Sequence, residues 1–297
     1  MGRIVKSSSY LININIMNRF LVFVLFALFT SSINAQVIMD DGTWTNKLVQ
    51  LGKSTQLDTC LMECIYYYQV IDHERQDMRE YNAILEVGDS ICKYESYGQY
   101  RLDSALVQKK QVTNGEWMKL YNTYRPDFKE FIIENTNANQ LSYYDKVAID
   151  NFTYKEMMPQ MDWDLQDSTK EVCGYLCHLA TCSFRGRQWI AWYSDIPKGV
   201  GPWKLNGLPG LILEAQTVDK EHKFMAITVR KTNGNITCAD VRNYFNTTRE
   251  RFNKALADYK SDPMKAWKNS NLTPKAMNGN SQALPKKKLF YNPLEKE

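Results

Sequence analysis

Histidine is scarce in this chain: His73, His178 and His222 are the only three among 297 residues. Several catalytic patterns are missing as well. There is no His-Glu-x-x-His zinc pair, no Gly-x-Ser-x-Gly nucleophile elbow and no glycine-rich phosphate loop. Neither sign of charge dominates, with 37 Lys+Arg against 33 Asp+Glu and a net charge of +4. Apart from Lys286-Lys287-Lys288, which reads as a solvated terminal run, the basic residues are dispersed, so no nucleic-acid footprint stands out. Long apolar runs are absent too. A membrane helix needs about 20 apolar residues, and the run Phe20 to Phe29 has ten, with none of comparable length after it.

That short run has a different meaning in its context. Asn18-Arg19 precedes it and Thr30-Ser31-Ser32-Ile33-Asn34-Ala35 follows, which is the layout of a secretory leader: a basic start, an apolar middle and a small-residue end. The expectation is a signal peptide over 1–35, cleaved near Ala35/Gln36, with Met17 as an alternative true start. A periplasmic or secreted chain would follow, with no transmembrane segment once mature. No Cys follows the cleavage point, which argues against a lipid-anchored lipoprotein.

Export permits disulfides, and seven cysteines are present: Cys60, Cys64, Cys92, Cys173, Cys177, Cys182 and Cys238. An odd count leaves at least one thiol unpaired in a monomer. Cys60 and Cys64, or Cys173 and Cys177, share a strand face but lie roughly 13 Å apart, too far to bridge. A disulfide would therefore cross between strands, the alternative being buried thiols. No metal is expected, because the spacing is not a Cys-x-x-Cys pair and His178 faces away from Cys177.

What the chain has in quantity is aromatic and β-branched sequence cut by turn residues. Leu61 to Val70, Tyr81 to Val87 and Ile91 to Tyr97 read as strands, as do Leu141 to Ile149, Phe152 to Met157 and Trp163 to Leu165. Cys173 to Phe184 and Gln188 to Tyr193 flank Arg185-Gly186-Arg187 as a hairpin, and Leu208 to Thr217 pairs with Lys223 to Lys231. Between them, residues 99–139 place Leu102, Leu106, Trp117, Leu120 and Tyr121 at helical intervals, an insertion of helical or mixed character. Thr237 with Asp240 resembles a capping box opening a helix to about Lys260. The expected fold is mainly β: a curved antiparallel sheet or open half-barrel of hairpins, with a C-terminal helix packed on it. The expected division is an N-terminal extension at 36–59, one domain at 60–260 and a loose tail at 261–297.

A group of motifs supports a family resemblance. Gly174-Tyr175-x-Cys177-x-x-Ala180, Phe184-Arg185-Gly186-Arg187, Trp192-Tyr193-x-Asp195-Ile196-Pro197, Gly201-Pro202-Trp203 and Gly207-Leu208-Pro209-Gly210-Leu211-Ile212-Leu213-Glu214 resemble the consecutive motifs of the GLPGLI family, exported proteins of Bacteroidetes. The likeness runs from about residue 60 to the Tyr291-Asn292-Pro293 end. It implies an exported protein but no particular reaction. The architecture is similar, by analogy alone, to the half-barrel lipoprotein carriers of bacterial envelopes.

Each signature residue has a structural and a functional reading. As scaffold, Gly207, Leu208, Pro209, Gly210, Leu211, Ile212 and Glu214 form a turn entering a strand, with the tryptophans covering one end of the sheet. As a ligand site, Trp192, Tyr193 and Trp203 line a groove anchored by Arg185, Arg187 and Asp195. No catalytic residue and no cofactor is expected. Cys177 and His178 point to opposite faces, and Asp195 and Glu214 would act as a carboxylate pair only if folding joined them. The functional expectation is a non-enzymatic binding or carrier protein of the cell envelope for an amphipathic ligand or peptide. An assembly factor beside outer-membrane transport machinery is the alternative, and a hydrolase or thiol enzyme the remaining one. The partners in view are an envelope lipid, a peptide or an outer-membrane protein.

Overall fold

Alternation of large side chains sets the longest strand. In Cys64-Ile65-Tyr66-Tyr67-Tyr68-Gln69-Val70, every second residue from Cys64 is deeply buried on one face. The computed structural model describes residues 42–263 and 288–296. The leader at 1–35, the Met17 start, residues 36–41 of the extension and residues 264–287 of the tail lie outside the described residues. Residues 42–47 belong to an N-terminal unit, Met1–Lys47, and form turns in which the Asn46 amide donates to the Gly42 carbonyl at 3.0 Å.

The second unit, Leu48–Glu297, holds the fold. Its elements in order are β1 (Ser54–Asp72), β2 (Asp77–Val87), β3 (Ile91–Ser96), α1 (Tyr97–Val107), α2 (Asn114–Tyr124), β4 (Phe131–Asn135), β5 (Gln140–Val147), β6 (Asp150–Met157), β7 (Asp164–Val172), β8 (Tyr175–Phe184), β9 (Arg187–Ser194), β10 (Ile212–Thr217), β11 (His222–Ala239), β12 (Phe245–Asn246) and α3 (Arg249–Ser261). The strands make one 12-stranded sheet in the order β12-β6-β5-β4-β3-β2-β1-β11-β10-β9-β8-β7, antiparallel throughout except where the short β12 runs parallel to β6. The order leaves two free ends, so the sheet is open and not closed into a barrel, as the hairpin pattern anticipates. Bulges in β1 against β11 at Gln56/Asp58, Cys60/Met62 and Ile65/Tyr66 add local bend and twist to the middle of the sheet.

The 99–139 segment is an insertion of two helices and a strand. Helix α1 leaves β3 directly, and α2 starts at a capping box in which Thr113 accepts from the Glu116 amide and the Glu116 carboxylate accepts from the Thr113 amide. Across the insertion, β3 and β4 still pair as neighbours, Tyr94 opposite Ile132. Helix α1 lies over the outer face, where Tyr100 donates to Glu63 at 2.7 Å.

Three expectations are corrected. The extension does not run to residue 59, because β1 starts at Ser54 and pairs with the end of β11, Ser54 opposite Ala239. The C-terminal helix does not start at Thr237. That residue is still in β11, while Val241 and Tyr244 pack on a small outer cluster with Ile133, Tyr144 and Cys238. The helix starts after Thr248, whose hydroxyl accepts from the Arg251 amide. Finally, all seven cysteines are free thiols, six of them buried and only Cys173 exposed. Among the described residues no helix is long and apolar enough to cross a membrane, a statement that does not bear on strands.

Candidate ligand trough

Register places a run of aromatic residues on the inner face. Tyr68 lies opposite Tyr81, and Leu85, Tyr94, Ile132, Tyr143 and Tyr154 follow one another across β2, β3, β4, β5 and β6. Because each alternates with outward residues in its own strand, these side chains form a floor of tyrosines interleaved with Leu85 and Ile132. Tyr143 stacks on Tyr154 at 4.7 Å, and Tyr68 stacks on Phe224 at 4.2 Å. Helix α3 lowers Phe252 onto Tyr143 at 5.3 Å.

Across this floor lies the end of the chain. Residues 288–296, expected as part of a loose tail, are instead strapped down. The Leu289 amide donates to the Lys260 carbonyl at 2.8 Å, and Asn292 Nδ2 donates to the Ile71 carbonyl at 2.7 Å. Arg187, on β9, is the main clasp. Its Nε donates to the Leu294 carbonyl at 3.0 Å, Nη2 to Asn292 Oδ1 at 2.8 Å and to the Pro293 carbonyl at 2.5 Å, and Nη1 to Glu221 at 2.8 Å. Asp219 completes the clasp. Burial pushes its carboxyl up, but hydrogen bonds from Thr217, the Glu221 amide and Lys296, with the Arg187 charge, hold it down to about 2.

Lys204 is the second clasp and is fully buried. Its Nζ donates to Glu295 at 2.6 Å, Glu156 at 2.7 Å and Tyr154 Oη at 2.9 Å, and sits 5.2 Å from the Tyr143 ring centre. Burial pushes the Glu295 carboxyl up, yet Lys204, Arg249 and Asn253 outweigh it and bring the net shift down.

The signature motif builds the loop that carries Lys204. Ile212 donates its amide to the Val200 carbonyl at 3.0 Å, Leu211 to Ile196 at 3.0 Å and Gly207 to Gly199 at 2.8 Å. A Cβ at Gly210 would lie 1.7 Å from the Ser194 carbonyl oxygen, so only glycine allows this approach. Gly207 has φ +86°, and Leu208, Leu211, Ile212 and Leu213 are buried in the core. The neighbouring hairpin is tighter than its sequence suggests. Phe184 pairs directly with Arg187, leaving Arg185 (φ 52°) and Gly186 (φ 71°) as a two-residue turn of the kind that matches strand twist.

The expected groove residues therefore separate. Trp203 is buried against Trp189, 6.0 Å away, and Phe184, 5.8 Å away. Tyr193 is also buried, and Trp192 lies under Lys170 Nζ at 4.4 Å. Arg185 pairs with Glu156 at 2.9 Å. Asp195 is 80% exposed and meets His178 Nε2 at 3.3 Å, whereas Glu214 pairs with Lys170 at 2.8 Å, so the two carboxylates have separate partners and do not form a pair. Of the six, Trp203, Arg185 and Arg187 belong to the walls and clasps of the trough.

Sequence reasoning missed Lys204, Glu156 and the tyrosine floor. The signal for Lys204 was present, since a lone Lys between Trp203 and Leu205 in an apolar turn indicates a buried, paired charge. What remains between floor and strap is a cavity of about 190 Å3 lined by Tyr68, Tyr81, Phe128, Glu130, Tyr143 and Phe290 among others. Among the described residues no group of three His, Cys, Asp or Glu is placed to hold a metal ion.

No protein-family model and no curated protein matches the chain. Among solved structures it is similar to PNGF-II, seen in two crystal forms, with TM-scores of 0.46 and 0.45 and 13% identity. The match covers 69% of this chain and 34% of that one, so the chain spans about a third of the length of PNGF-II.

Proposed function

We propose that this chain is an exported, non-enzymatic binding or carrier protein of the cell envelope, a GLPGLI-type protein that holds an amphipathic ligand or an extended peptide in the inner trough of its open sheet. One observation carries the reading. The trough already holds a chain segment, residues 288–296, through two of its backbone carbonyls at Arg187 and the Glu295 carboxylate at Lys204, over an aromatic floor. Carbonyl contacts grip a chain without regard to side chains, and the floor takes apolar groups, a combination suited to peptides and amphipaths. The leader-like start at 1–35 supports export.

The test uses a chain ending at residue 287 and the peptide 288–297 added in trans, followed by tryptophan fluorescence. Saturable binding of the peptide, displaced by envelope lipids or by unrelated extended peptides, is the expected result. A truncated chain that remains folded yet binds none of the three would overturn the reading. Cell fractionation placing the full-length protein in the cytoplasm would overturn the export part separately.

A further inference from the structure

We propose that the cavity under the C-terminal strap is a binding site for a small organic ammonium ion, the positively charged head of the ligand. The inference rests on the trough being a ligand site, as argued above, and adds the chemistry of what enters it.

Three observations converge. The first is the wall. Tyr68, Tyr81 and Phe128 form consecutive ring contacts, at 5.5 Å and then 6.0 Å, the second edge to face, and Tyr143 and Phe290 also line the space. Aromatic rings lining a small volume supply the kind of surface that attracts ammonium groups. The same floor already does this once, with Lys204 Nζ 5.0 Å from Tyr154 and 5.8 Å from Trp203.

The second is an unbalanced charge. Glu156 and Glu295 are matched by Lys204, Arg185 and Arg249. Glu130 has no such ion pair among the described residues, although the Lys204 charge bears on it. It precedes β4 on the inner side, lines the cavity, and its one hydrogen bond among the described residues is from Tyr143 Oη to Oε2 at 2.7 Å. Asp145 stands across from it on β5, near the same Tyr143 hydroxyl, and Lys260 of α3 is the one further cation lining this space. Lys204, whose charge bears on Glu130, is already paired with Glu156 and Glu295, and Lys260 bears on Asp145, so neither carboxylate has an ion-pair contact of its own among the described residues. Burial raises the Glu130 carboxyl, and burial with the Glu130 charge pushes Asp145 up to about 7, as expected for acids short of a countercharge.

The third is size. At about 30 Å3 for each water-sized group, a cavity of about 190 Å3 takes on the order of six heavy atoms. That is room for a tetramethylammonium or butylammonium group.

The full chain would be titrated calorimetrically with tetramethylammonium and n-butylammonium chlorides, with tert-butanol and n-butanol as uncharged counterparts, at ionic strength matched by sodium chloride. At least one ammonium should bind at least tenfold more tightly than its neutral counterpart. Glu130→Gln should weaken it at least tenfold and Tyr81→Leu measurably, with far-ultraviolet circular dichroism unchanged. If Glu130→Gln does not fold, the charged-to-neutral ratio of the wild-type chain decides alone. Equal binding of charged and neutral compounds, or no saturation by either ammonium, overturns the proposal. Lysophosphatidylethanolamine binding more tightly than lysophosphatidylglycerol, and competing with butylammonium, would place the ammonium on a lipid, whereas binding of the free ions alone would place it on a soluble amine. If peptide 288–297 or envelope lipids bind while the ammonium ions do not, this inference fails and the carrier reading stands. If the ions bind and the others do not, the carrier reading fails.

Discussion

Arg187 Nη2 lies 2.8 Å from Asn292 Oδ1, joining residues 105 positions apart and fastening the end of the chain to the tight hairpin of the signature region. The same guanidinium also donates to two strap carbonyls and to Glu221, so the strap and the hairpin turn are one hydrogen-bonded unit.

This unit is testable by a double-mutant cycle. Arg187→Ala removes a buried charge with several partners and should cost about 3–5 kcal/mol. Asn292→Ala removes one exchange at each end and should cost about 1–2 kcal/mol. Because both act on one contact, urea midpoints of the double variant should show a coupling of about 0.5–3 kcal/mol. Simple additivity would mean that the strap is not held through Arg187.

The strap also marks where the sequence stops being legible. Hairpins could be read locally, because Arg185-Gly186 and Gly88-Asp89 interrupt alternating runs, and the insertion at 99–139 could be read from the helical spacing of Leu102 and Trp117. Residues 288–296 carry no period, and their partners Ile71, Arg187 and Lys204 lie far away in the chain, so composition alone makes them look like a tail. The helix start was misread for a related reason. Val241 and Tyr244 fit a helical stripe, but their burial is satisfied on the outer cluster. The tyrosine floor depends on strand order. Alternation puts Tyr68 and Tyr143 each on a face, and only the order β5-β4-β3-β2-β1 puts them on the same one.

The signature turn should tolerate almost no added volume at its closest point. Gly210→Ala brings a methyl to 1.7 Å from the Ser194 carbonyl, a backbone atom that can move only by breaking the loop. The variant should lose more than about 3 kcal/mol or fail to fold, as overpacking at a rigid contact does. Gly234→Ala is the control, since its nearest neighbour is the Thr232 hydroxyl at 3.7 Å, and its thermal midpoint should shift little. Equal effects at the two positions would remove the steric account of the motif.

The thiols make a third expectation. Burial pushes Cys60, Cys64, Cys92 and Cys182 up to about 12 and Cys177 to about 11, which suppresses the reactive thiolate. Cys173, alone exposed, sits beside Gly174 in the turn between β7 and β8. A thiol-reactive chromophore should therefore label one site rapidly in the native protein and all seven after denaturation without reductant. Fewer than seven in the denatured protein would reveal a disulfide.

Stability should be greatest in mildly acidic solution, because two buried groups on the inner face titrate in opposite senses. Desolvation, with Arg187 nearby, lowers His222 from 6.5 to about 3. Between those values the unfolded chain binds a proton that the folded chain refuses, so stability falls as the pH drops below 6.5. Glu134 is the reverse case. Both of its carboxylate oxygens are buried without a hydrogen-bond partner among the described residues, and desolvation raises it from 4.5 to about 8. Over that window the folded chain keeps a proton that the unfolded chain has released, so stability falls as the pH rises, by up to about 1.4 kcal/mol per unit for one such group. Asp145, pushed up to about 7, and Glu86, pushed up to about 8, act in the same sense as Glu134, so above about 4.5 the losses on raising the pH outweigh the gain from His222. Glu134→Gln carries no titrating proton and should abolish its own share of the alkaline loss. Relative to the wild-type chain it should gain on the order of 3 kcal/mol between pH 5 and pH 8. Urea unfolding at the two pH values measures this directly, and parallel pH profiles for variant and wild type would show that Glu134 is already ionised at neutral pH and hydrated in its niche.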